Sequence, residues 1–234
     1  LAFFVATCYI LKRFGAGKML IIAHRGGYKD SKTEENSWDA FKALEDLETV
    51  DVSEADVRRC PFHGNLVLSH DPVISKEQCE RVLEFKDFLP FGKWMTLHVE
   101  LKEKGLVKEA VEMVRALRHK DSVVYSSFLW RELFKVRRRD KRVRLGLLWS
   151  LNRKLPFWVV ALVGQILGAE SIHVNFNVLN KKNVEYFRRK GFSVYAYTVN
   201  SNDDIINAYF LGLDGIFTDY PIKALNLISK IIIQ

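Results

Sequence analysis

"MLIIAHRGGYKDSKTEENSWDAF" (residues 19–41) places a short apolar run directly before His24, Arg25 and two glycines. The run is rich in large aliphatic residues, which is typical of a buried strand. A helix-starting pattern follows at Glu-Asn, about ten residues further on. A buried strand that ends in charged residues and leads into a helix is the repeating unit of parallel α/β folds.

The same pattern recurs along the chain. Strand-like segments occupy residues 19–24, 49–57, 96–101, 122–127, 144–149, 171–176, 192–199 and 214–219, with a short extra run at 65–70. Helical patterns occupy residues 35–47, 106–119, 155–168, 182–191 and 201–212. Eight strands alternating with helices predict an α/β fold, a (β/α)8 TIM barrel formed as a single domain by residues 19–234. A doubly wound open sheet is the alternative, but its edge strands would need covering.

Residues 1–18 form an N-terminal apolar extension that begins with "LAFFVATCYIL". This run is too short to span a bilayer by itself, and it lacks the basic front and cleavage site of a signal peptide. The tail of a longer membrane segment, a helix packed on the domain and an upstream extension all remain open interpretations. The three cysteines are odd in number and lack zinc-site spacing, which favours a reducing compartment. We therefore expect a cytoplasmic location, with membrane association through residues 1–18 as the alternative.

The formal net charge of +8 is unevenly distributed. "RELFKVRRRDKRVR" (residues 131–144) contributes eight bases and two acids, and "KKNVEYFRRK" (residues 181–190) adds more. These segments are interpreted as solvated outer faces of helices or as a surface that attracts anionic headgroups. They lack the glycine and aromatic pattern of a single-strand RNA reader, so no nucleic-acid partner is expected. The apolar segment 155–168 is consistent with simple burial, with a homo-oligomer contact or with a peripheral membrane contact.

Acidic residues occur in pairs on neighbouring predicted strands. Glu54 and Asp56 are two residues apart, as are Glu100 and Lys102, so each pair projects from one face of its strand. Three carboxylates that converge at a barrel mouth repel one another unless a cation lies among them. Their oxygens suit one divalent cation, Mg²⁺ or Ca²⁺. The alternative is that Glu54 and Asp56 form ordinary ion pairs with Arg58 or Arg59.

Two histidines follow strands in comparable positions. His24 ends the first strand, and His70 ends the extra run after the second. Beside a carboxylate cluster, such a pair suggests a general acid and a general base, since imidazole titrates near neutral pH. Arg25 and Lys102 are cations suited to a phosphate group, and Gly26 with Gly27 would leave backbone room for a ligand.

Two other histidines lie inside predicted strands. His98 shares a strand face with Glu100 and is expected in the core, one layer deeper than that carboxylate. His173 is consistent with a pocket or with the barrel filling.

The ordered set of these motifs resembles the glycerophosphodiester phosphodiesterase family. The matching segments are His24-Arg25-Gly26, Glu35-Asn36-Ser37, Ala40-Phe41, Glu54-Ala55-Asp56-Val57, Gly64, Val67, His70-Asp71-Pro72, Glu100-Leu101-Lys102, residues 126–128, residues 197–200 and residues 212–221. The sequence departs from the family pattern at Ser37, where threonine is usual, and at Glu34, His63 and Tyr197. It is also short between Asp71 and Leu97, where many members carry a small inserted subdomain.

The resemblance implies a (β/α)8 barrel of the phospholipase C-like phosphodiesterase type. It implies a divalent cation on Glu54, Asp56 and Glu100, acid-base catalysis by His24 and His70, and phosphate binding by Arg25 and Lys102. The implied reaction cleaves a small-molecule glycerophosphodiester into an alcohol and sn-glycerol 3-phosphate. Either histidine can be the acid, and the nucleophile is water or the glycerol 2-hydroxyl.

Two alternative functions also remain open. The first is a membrane-associated lysophospholipase D that acts on lysophospholipids, which the apolar segment 155–168 and the basic stretches suggest. The second is a non-catalytic barrel that binds anionic polymers through its basic face, in which case the paired carboxylates and histidines would be dispensable.

Overall fold

The strands of the computed structural model form one closed sheet. The structure describes residues 19–47, 50–150 and 155–233, so the predicted extension, residues 1–18, lies outside the described residues. The strands are β1 (Leu20–Ala23), β2 (Val52–Arg59), β3 (Leu66–Leu68), β4 (Thr96–Leu101), β5 (Val123–Ser127), β6 (Arg144–Trp149), β7 (Ser171–Asn175), β8 (Ser193–Tyr197) and β9 (Gly215–Thr218). Each predicted strand segment therefore contains a strand.

Parallel pairing between neighbouring strands closes the sheet into a barrel. From β2 the order is β4, β5, β6, β7, β8 and β9, and β1 then pairs with both β9 and β2. Ile22 of β1 lies opposite Phe217 on one side and Val52 on the other. The predicted (β/α)8 barrel is thus confirmed, and the open doubly wound sheet is excluded because the ring of parallel strands has no edge.

Helices cover the outside of the barrel. They are α1 (Trp38–Leu47), α2 (Lys76–Arg81), α3 (Val107–Arg115), α4 (Trp130–Arg139), α5 (Phe157–Leu167), α6 (Lys181–Arg189), α7 (Asn202–Phe210) and α8 (Pro221–Ile233). Short helical turns occur at His24–Gly26, Tyr28–Ser31, Phe85–Phe88, Leu89–Lys93, Lys120–Ser122 and Phe176–Val178. The apolar spacing explains the packing: α3 buries Val107, Ala110, Val111 and Val114, which recur every three or four residues.

A hairpin extends the second strand beyond the barrel rim. The short strand β3 runs antiparallel to the end of β2, with Val57 opposite Leu68. Cys60 follows β2 and forms a disulfide with Cys79 of α2, across Cα atoms 5.9 Å apart. The expectation of reduced cysteines is therefore not met in this pair. No local pattern predicts this disulfide, because only the hairpin brings together two residues that are 19 positions apart.

The barrel interior below the rim contains two fully enclosed imidazoles. His98 and His173 are stacked with their ring centroids 5.5 Å apart, and both contact Tyr195 and Phe217. A Cβ on Gly146 would overlap the His173 ring, so this glycine makes the space that the ring fills. The prediction that His98 is a core residue is confirmed, and of the two interpretations of His173 the structure supports filling of the barrel. Burial lowers the pKa of His98 to about 3 and lowers that of His173 well below its usual value.

These neutral histidines are expected to make the fold acid-sensitive. The unfolded chain protonates a histidine near pH 6.5, whereas the folded chain keeps His98 neutral, so folding stability falls as the pH drops below about 6.5. The contribution is about 1.4 kcal/mol per pH unit for one such histidine. We expect His98→Gln to flatten the pH dependence of the unfolding free energy by about that amount between pH 6 and pH 4. Urea titrations at several pH values measure this slope, and equal slopes in both proteins would contradict the account.

Candidate active site

Polar side chains surround one cavity at the carboxyl ends of the barrel strands. Its volume is about 200 Å³. All seven residues predicted for the site line it: His24, Arg25, Glu54, Asp56, His70, Glu100 and Lys102. The remaining wall is formed by Ser126, Phe128, Leu148, Tyr197, Thr198 and Phe217. The fold therefore brings together residues that are up to 193 positions apart in the sequence, from His24 to Phe217.

Three buried carboxylates form the acidic part of the site. Glu54, Asp56 and Glu100 are 3%, 1% and 9% exposed, and one oxygen of each lies within 4.8 Å of the others. The pairing of β2 with β4 places Asp56 opposite Glu100, which explains their proximity. Carboxylate oxygens at this spacing suit a hard divalent cation such as Mg²⁺ or Ca²⁺.

The alternative partners proposed for Glu54 and Asp56 lie elsewhere. Arg58 pairs with Glu103, with 3.2 Å between Nη1 and Oε2, and Arg59 pairs with Glu109 at 2.9 Å. Neither arginine therefore neutralises the buried cluster. The interpretation of Glu54 and Asp56 as ordinary ion pairs with Arg58 or Arg59 is wrong.

Two other cations contact the acidic cluster. Lys102 Nζ lies 3.2 Å from Asp56 Oδ1 and 3.0 Å from Glu100 Oε1. Arg25 Nε lies 3.2 Å from Asp56 Oδ2, while its Nη1 donates to Glu35 Oε2 at 2.7 Å. Three carboxylates thus share two cationic side chains, and the cluster retains a formal excess of one negative charge when all five groups are ionised.

The pKa values of the three carboxyls reflect this shortage of positive charge. Burial raises the pKa of Glu54 well above its usual value, and the charges of Asp56 and Glu100 raise it further. Burial also raises the pKa of Glu100 to about 7, against the lowering effect of Lys102. The pKa of Asp56 is lowered instead, because the charges of Lys102 and Arg25 outweigh the effect of its burial. A positive charge beside Glu54 and Glu100 would offset the effect of burial and favour their ionised forms, so the chemistry of these carboxyls fits a cation-binding site.

The backbone of the turn after β1 donates a hydrogen bond to one of the three carboxylates. Arg25 adopts a left-handed conformation with φ of 51°, and its backbone N–H donates to Glu54 Oε2 at 3.0 Å. The two glycines that follow, Gly26 and Gly27, allow close packing of the turn. They do not leave room for a ligand, as was expected from the sequence. A Cβ on Gly26 would lie 2.8 Å from that of Ala40, and one on Gly27 would lie 2.5 Å from Pro221 Cγ. The turn can approach α1 and α8 this closely only with glycine at these positions.

His24 is held by a buried carboxylate from the last strand. Its Nδ1 lies 2.7 Å from Asp219 Oδ1. Asn200 Nδ2 donates to the other Asp219 oxygen at 2.8 Å, and Lys29 Nζ lies 3.0 Å from the same oxygen. Burial acts to raise the pKa of Asp219, but the hydrogen bonds from His24, Lys29 and Asn200 lower it to about 2. Asp219 is therefore ionised near neutral pH and fixes the His24 ring through Nδ1, while Nε2 has no hydrogen bond to any other described residue.

Asp219→Asn is expected to slow turnover without loss of substrate affinity. The amide preserves size but removes the negative charge that faces Nδ1, so the ring loses its preferred tautomer and a stabiliser of its cationic form. We expect kcat to fall at least roughly tenfold, with KM nearly unchanged. Steady-state kinetics measure both constants, and an increase in KM at constant kcat would contradict this positioning role.

His70 lies on the loop after β3 and lines the same cavity as His24. Arg58 Nε donates to the His70 carbonyl at 2.9 Å, which fixes the backbone, and the ring Nδ1 lies 3.0 Å from Asp71 Oδ1. Burial lowers the pKa of His70, and the positive charges of Lys102 and Arg25 add to this effect. The ring is 37% exposed and therefore reaches both the cavity and solvent.

The sequence alone suggests no role for two residues that orient the site, Asn36 and Asp219. Asn36, 3% exposed, donates from Nδ2 to Asp56 Oδ2 and accepts from the Asp56 backbone N–H, both at 3.2 Å. Asp219 ends the predicted strand segment 214–219, a position that by itself indicates no role. Their contacts join segments 20 and 195 residues apart in the sequence, so strand periodicity carries no signal for them.

Comparisons with known proteins identify the class to which this barrel belongs. The sequence model of the "Glycerophosphoryl diester phosphodiesterase family" matches residues 44–223. The chain therefore belongs to the glycerophosphoryl diester phosphodiesterase family, and the predicted enzyme class is confirmed. The matched region contains the three carboxylates, His70 and Lys102, whereas His24 and Arg25 lie before it.

Individual relatives agree with this assignment. The glycerophosphodiester phosphodiesterase of Caldanaerobacter subterraneus subsp. tengcongensis is 26% identical over 249 residues, covering 91% of this chain and 99% of that protein. A glycerophosphodiester phosphodiesterase structure from Parabacteroides distasonis superposes with a TM-score of 0.80 at 20% identity, over 94% of this chain and 100% of that one. A phosphodiesterase from Oleispira antarctica, solved in complex with its product sn-glycerol-3-phosphate, superposes with a TM-score of 0.76 at 20% identity, over 90% and 96% of the two chains. At these identities the two structures establish the shared fold.

Proposed function

We propose that the chain hydrolyses small glycerophosphodiesters to an alcohol and sn-glycerol 3-phosphate, with one divalent cation and two acid-base histidines. The observation that supports this best is the convergence of three buried carboxylates, two cations and two imidazoles on one cavity. The relative from Oleispira antarctica was solved with sn-glycerol-3-phosphate as its product, which supports the same product here.

Charge balance supports the proposed cation. Glu54, Asp56 and Glu100 carry three negative charges when ionised, and Arg25 with Lys102 offsets two of them. A dication would leave the site with one net positive charge, which a phosphodiester monoanion neutralises. Buried charges are stable only when they are compensated in this way. The fully loaded site would therefore be close to neutral, as a buried site needs to be.

Glu54, Asp56 and Glu100 would hold the cation through carboxylate oxygens. When bound, Mg²⁺ or Ca²⁺ withdraws electron density from a phosphoryl oxygen and offsets the negative charge that develops there. The charge of the cation would weaken the hold of the carboxylates on Lys102 and Arg25. Both cationic side chains then have donors available for the phosphate oxygens.

The two histidines supply the proton transfers. One imidazole removes a proton from the nucleophile, and the other protonates the departing alkoxide oxygen. Asp219 stabilises a positive charge on His24, whereas the lowered pKa of His70 favours its neutral form. This asymmetry suits His24 as the proton donor and His70 as the base in the first step, although the opposite assignment was equally open from the sequence.

The nucleophile is water or the glycerol 2-hydroxyl. The second route proceeds through a cyclic glycerophosphate that water opens afterwards, so the two routes differ in a detectable intermediate. Phosphorus NMR during turnover distinguishes them: a transient cyclic phosphate signal supports the hydroxyl route, and its absence under trapping conditions supports direct attack by water.

A substrate screen tests the proposed function. Glycerophosphocholine, glycerophosphoethanolamine and a lysophospholipid are each incubated with Mg²⁺ or Ca²⁺, and release of sn-glycerol 3-phosphate is measured. We expect release from the first two substrates. Binding of DNA in a salt series, without release from any diester, would instead support the non-catalytic barrel. The comparisons do not favour the lysophospholipase D alternative, since the relatives reported above carry glycerophosphodiester or phosphodiesterase names.

The cellular location is proposed as cytoplasmic; the disulfide Cys60–Cys79 described above opposes this location, so the same pair provides the test. Disulfides are rare in reducing compartments. Counting free thiols at these two positions in protein taken from its own cells decides between the environments: reduced cysteines support the cytoplasm, and an intact disulfide contradicts it. Within the described ranges, no helix is both long and apolar enough to cross a bilayer.

A further inference from the structure

The outer face of α5 carries a line of exposed apolar side chains. Trp158, Leu162 and Ile166 are 60%, 48% and 66% exposed and recur every four residues, so they lie on one side of the helix. We call these three residues the α5 stripe. The opposite side of α5 buries Val160, Ala161, Gly164 and Leu167 against the barrel. Since the core needs only that buried side, simple burial does not explain the apolar stripe.

The helices on either side of α5 are strongly basic. Arg138 and Arg139 are exposed on α4, and Arg189 and Lys190 are exposed at the end of α6. Contacts fix both helices to α5: Arg137 donates to the Leu167 and Gly168 carbonyls, and Gln165 donates to the Lys190 carbonyl. Arg137 and Lys190 therefore border the C-terminal end of α5 on its two sides. Arg138 and Arg139 lie farther away, on the side of α4 that faces α3, where they line a cavity with Val107 and Lys108.

The segment that contains α4, α5 and α6 is positively charged, whereas the rest of the chain is slightly negative. Residues 130–190 contain fifteen basic and four acidic residues, a net charge of +11, in a chain whose total is +8. The remainder of the chain is therefore slightly acidic, with a net charge of −3. Such an asymmetry orients a protein toward a negatively charged surface.

We propose that the α5 stripe and its basic borders form a docking surface for anionic phospholipid bilayers. A helix lying in the interface buries an apolar face among the acyl chains and keeps basic groups at headgroup level, with tryptophan favoured at the boundary. Each basic residue near an anionic membrane adds attraction that salt screens. The inference stands independently of the proposed function, because none of these residues lines the catalytic cavity.

Two other occupants fit the surface less well. In a two-fold dimer the patch would meet itself, so the basic borders of both copies would repel each other. Residues 1–18 are apolar, but they contain three basic residues and no acidic one, so they do not complement the basic borders. An anionic bilayer supplies both the apolar interior and the negative charge that this surface lacks.

Vesicle sedimentation with the full chain tests the proposal. We compare vesicles of 30% phosphatidylserine in phosphatidylcholine with pure phosphatidylcholine, and expect at least tenfold stronger binding to the former at low salt. Replacing the stripe, W158S/L162S/I166S, is expected to weaken binding about a hundredfold or more, because each side chain contributes a factor of roughly ten on leaving water. The control W94S removes an exposed tryptophan (70% exposed) that precedes β4, away from α5, and should change nothing.

A second variant and a footprint separate the two contributions. R189E/K190E, which reverses the exposed basic charges beside α5, should weaken the preference for phosphatidylserine at least tenfold, with the stripe intact. Hydroxyl-radical labelling of the wild-type chain should show Trp158 protected by the anionic vesicles and Trp94 unprotected. Equal binding to both vesicle types, equal binding of the stripe variant, or protection of Trp158 that rises with protein concentration in the absence of lipid would each overturn the proposal. Turnover of a soluble diester by the stripe variant should be unchanged, so failure here is distinguishable from failure of the proposed function.

Discussion

Treatment with EDTA is expected to abolish turnover of glycerophosphocholine, and added Mg²⁺ or Ca²⁺ is expected to restore it. Without a dication the carboxylates of Glu54, Asp56 and Glu100 hold Lys102 and Arg25, so the phosphate would meet cations that are already paired. Removing both the dication and two phosphate contacts eliminates most of the electrostatic stabilisation of the transition state. Release of choline or sn-glycerol 3-phosphate measures the rate.

A control separates loss of the cation from unfolding of the chain. The circular dichroism spectrum should be nearly the same with and without EDTA, because the barrel core consists of apolar side chains, and the melting temperature should fall only by the contribution of ion binding. Glu54→Gln should behave like the chelated enzyme even in excess Mg²⁺. Full activity in EDTA would remove the cation from the mechanism.

His24→Ala and His70→Ala should each lower kcat by at least roughly a hundredfold, the usual effect of losing one acid-base group. Both imidazoles line the cavity, and imidazole is the side chain most often used for proton transfer in enzymes. The double variant should lose little more than the slower single variant, because two groups that act on one reaction contribute non-additively. Steady-state rates with a soluble diester measure these effects.

The matched control is His63→Ala. His63 is exposed in the turn before β3 and is not among the residues that line the cavity. Its replacement should leave the rate within a factor of about two of wild type. A rate within a few-fold of wild type for His24→Ala or His70→Ala would exclude that residue as an acid or base.

The barrel was predictable because each part of the sequence carried a local signal. Apolar runs of four to six residues that alternate with amphipathic helices admit few topologies, and strand positions followed from apolar periodicity alone. The signal failed where structure depends on distant contacts. The helix α8 was not predicted, and the disulfide Cys60–Cys79 depends on a hairpin and a short helix that periodicity does not place side by side.

The charged residues of the site were predictable from their spacing along the strands. Residues two apart on a strand share a face, so Glu54 with Asp56 and Glu100 with Lys102 could be assigned to the barrel mouth from spacing. The residues that orient them could not. Asp219 contacts His24 although the two residues are 195 positions apart. Asn36 contacts Asp56 from a left-handed backbone conformation, with φ of 56°. Such contacts form only when the barrel closes. Barrel closure leaves no periodic pattern in the sequence from which they could be predicted.

The account rests on one shared cation among Glu54, Asp56 and Glu100. Titration of the metal-free chain with Mn²⁺, monitored by electron paramagnetic resonance, tests this most directly because it counts bound ions without catalysis. We predict one tight site per chain, displaced by Mg²⁺ or Ca²⁺, lost in Asp56→Asn and retained in Asp203→Asn, which alters an exposed acid on α7. An unchanged tight site in Asp56→Asn, or no tight site in the wild-type chain, would contradict the account.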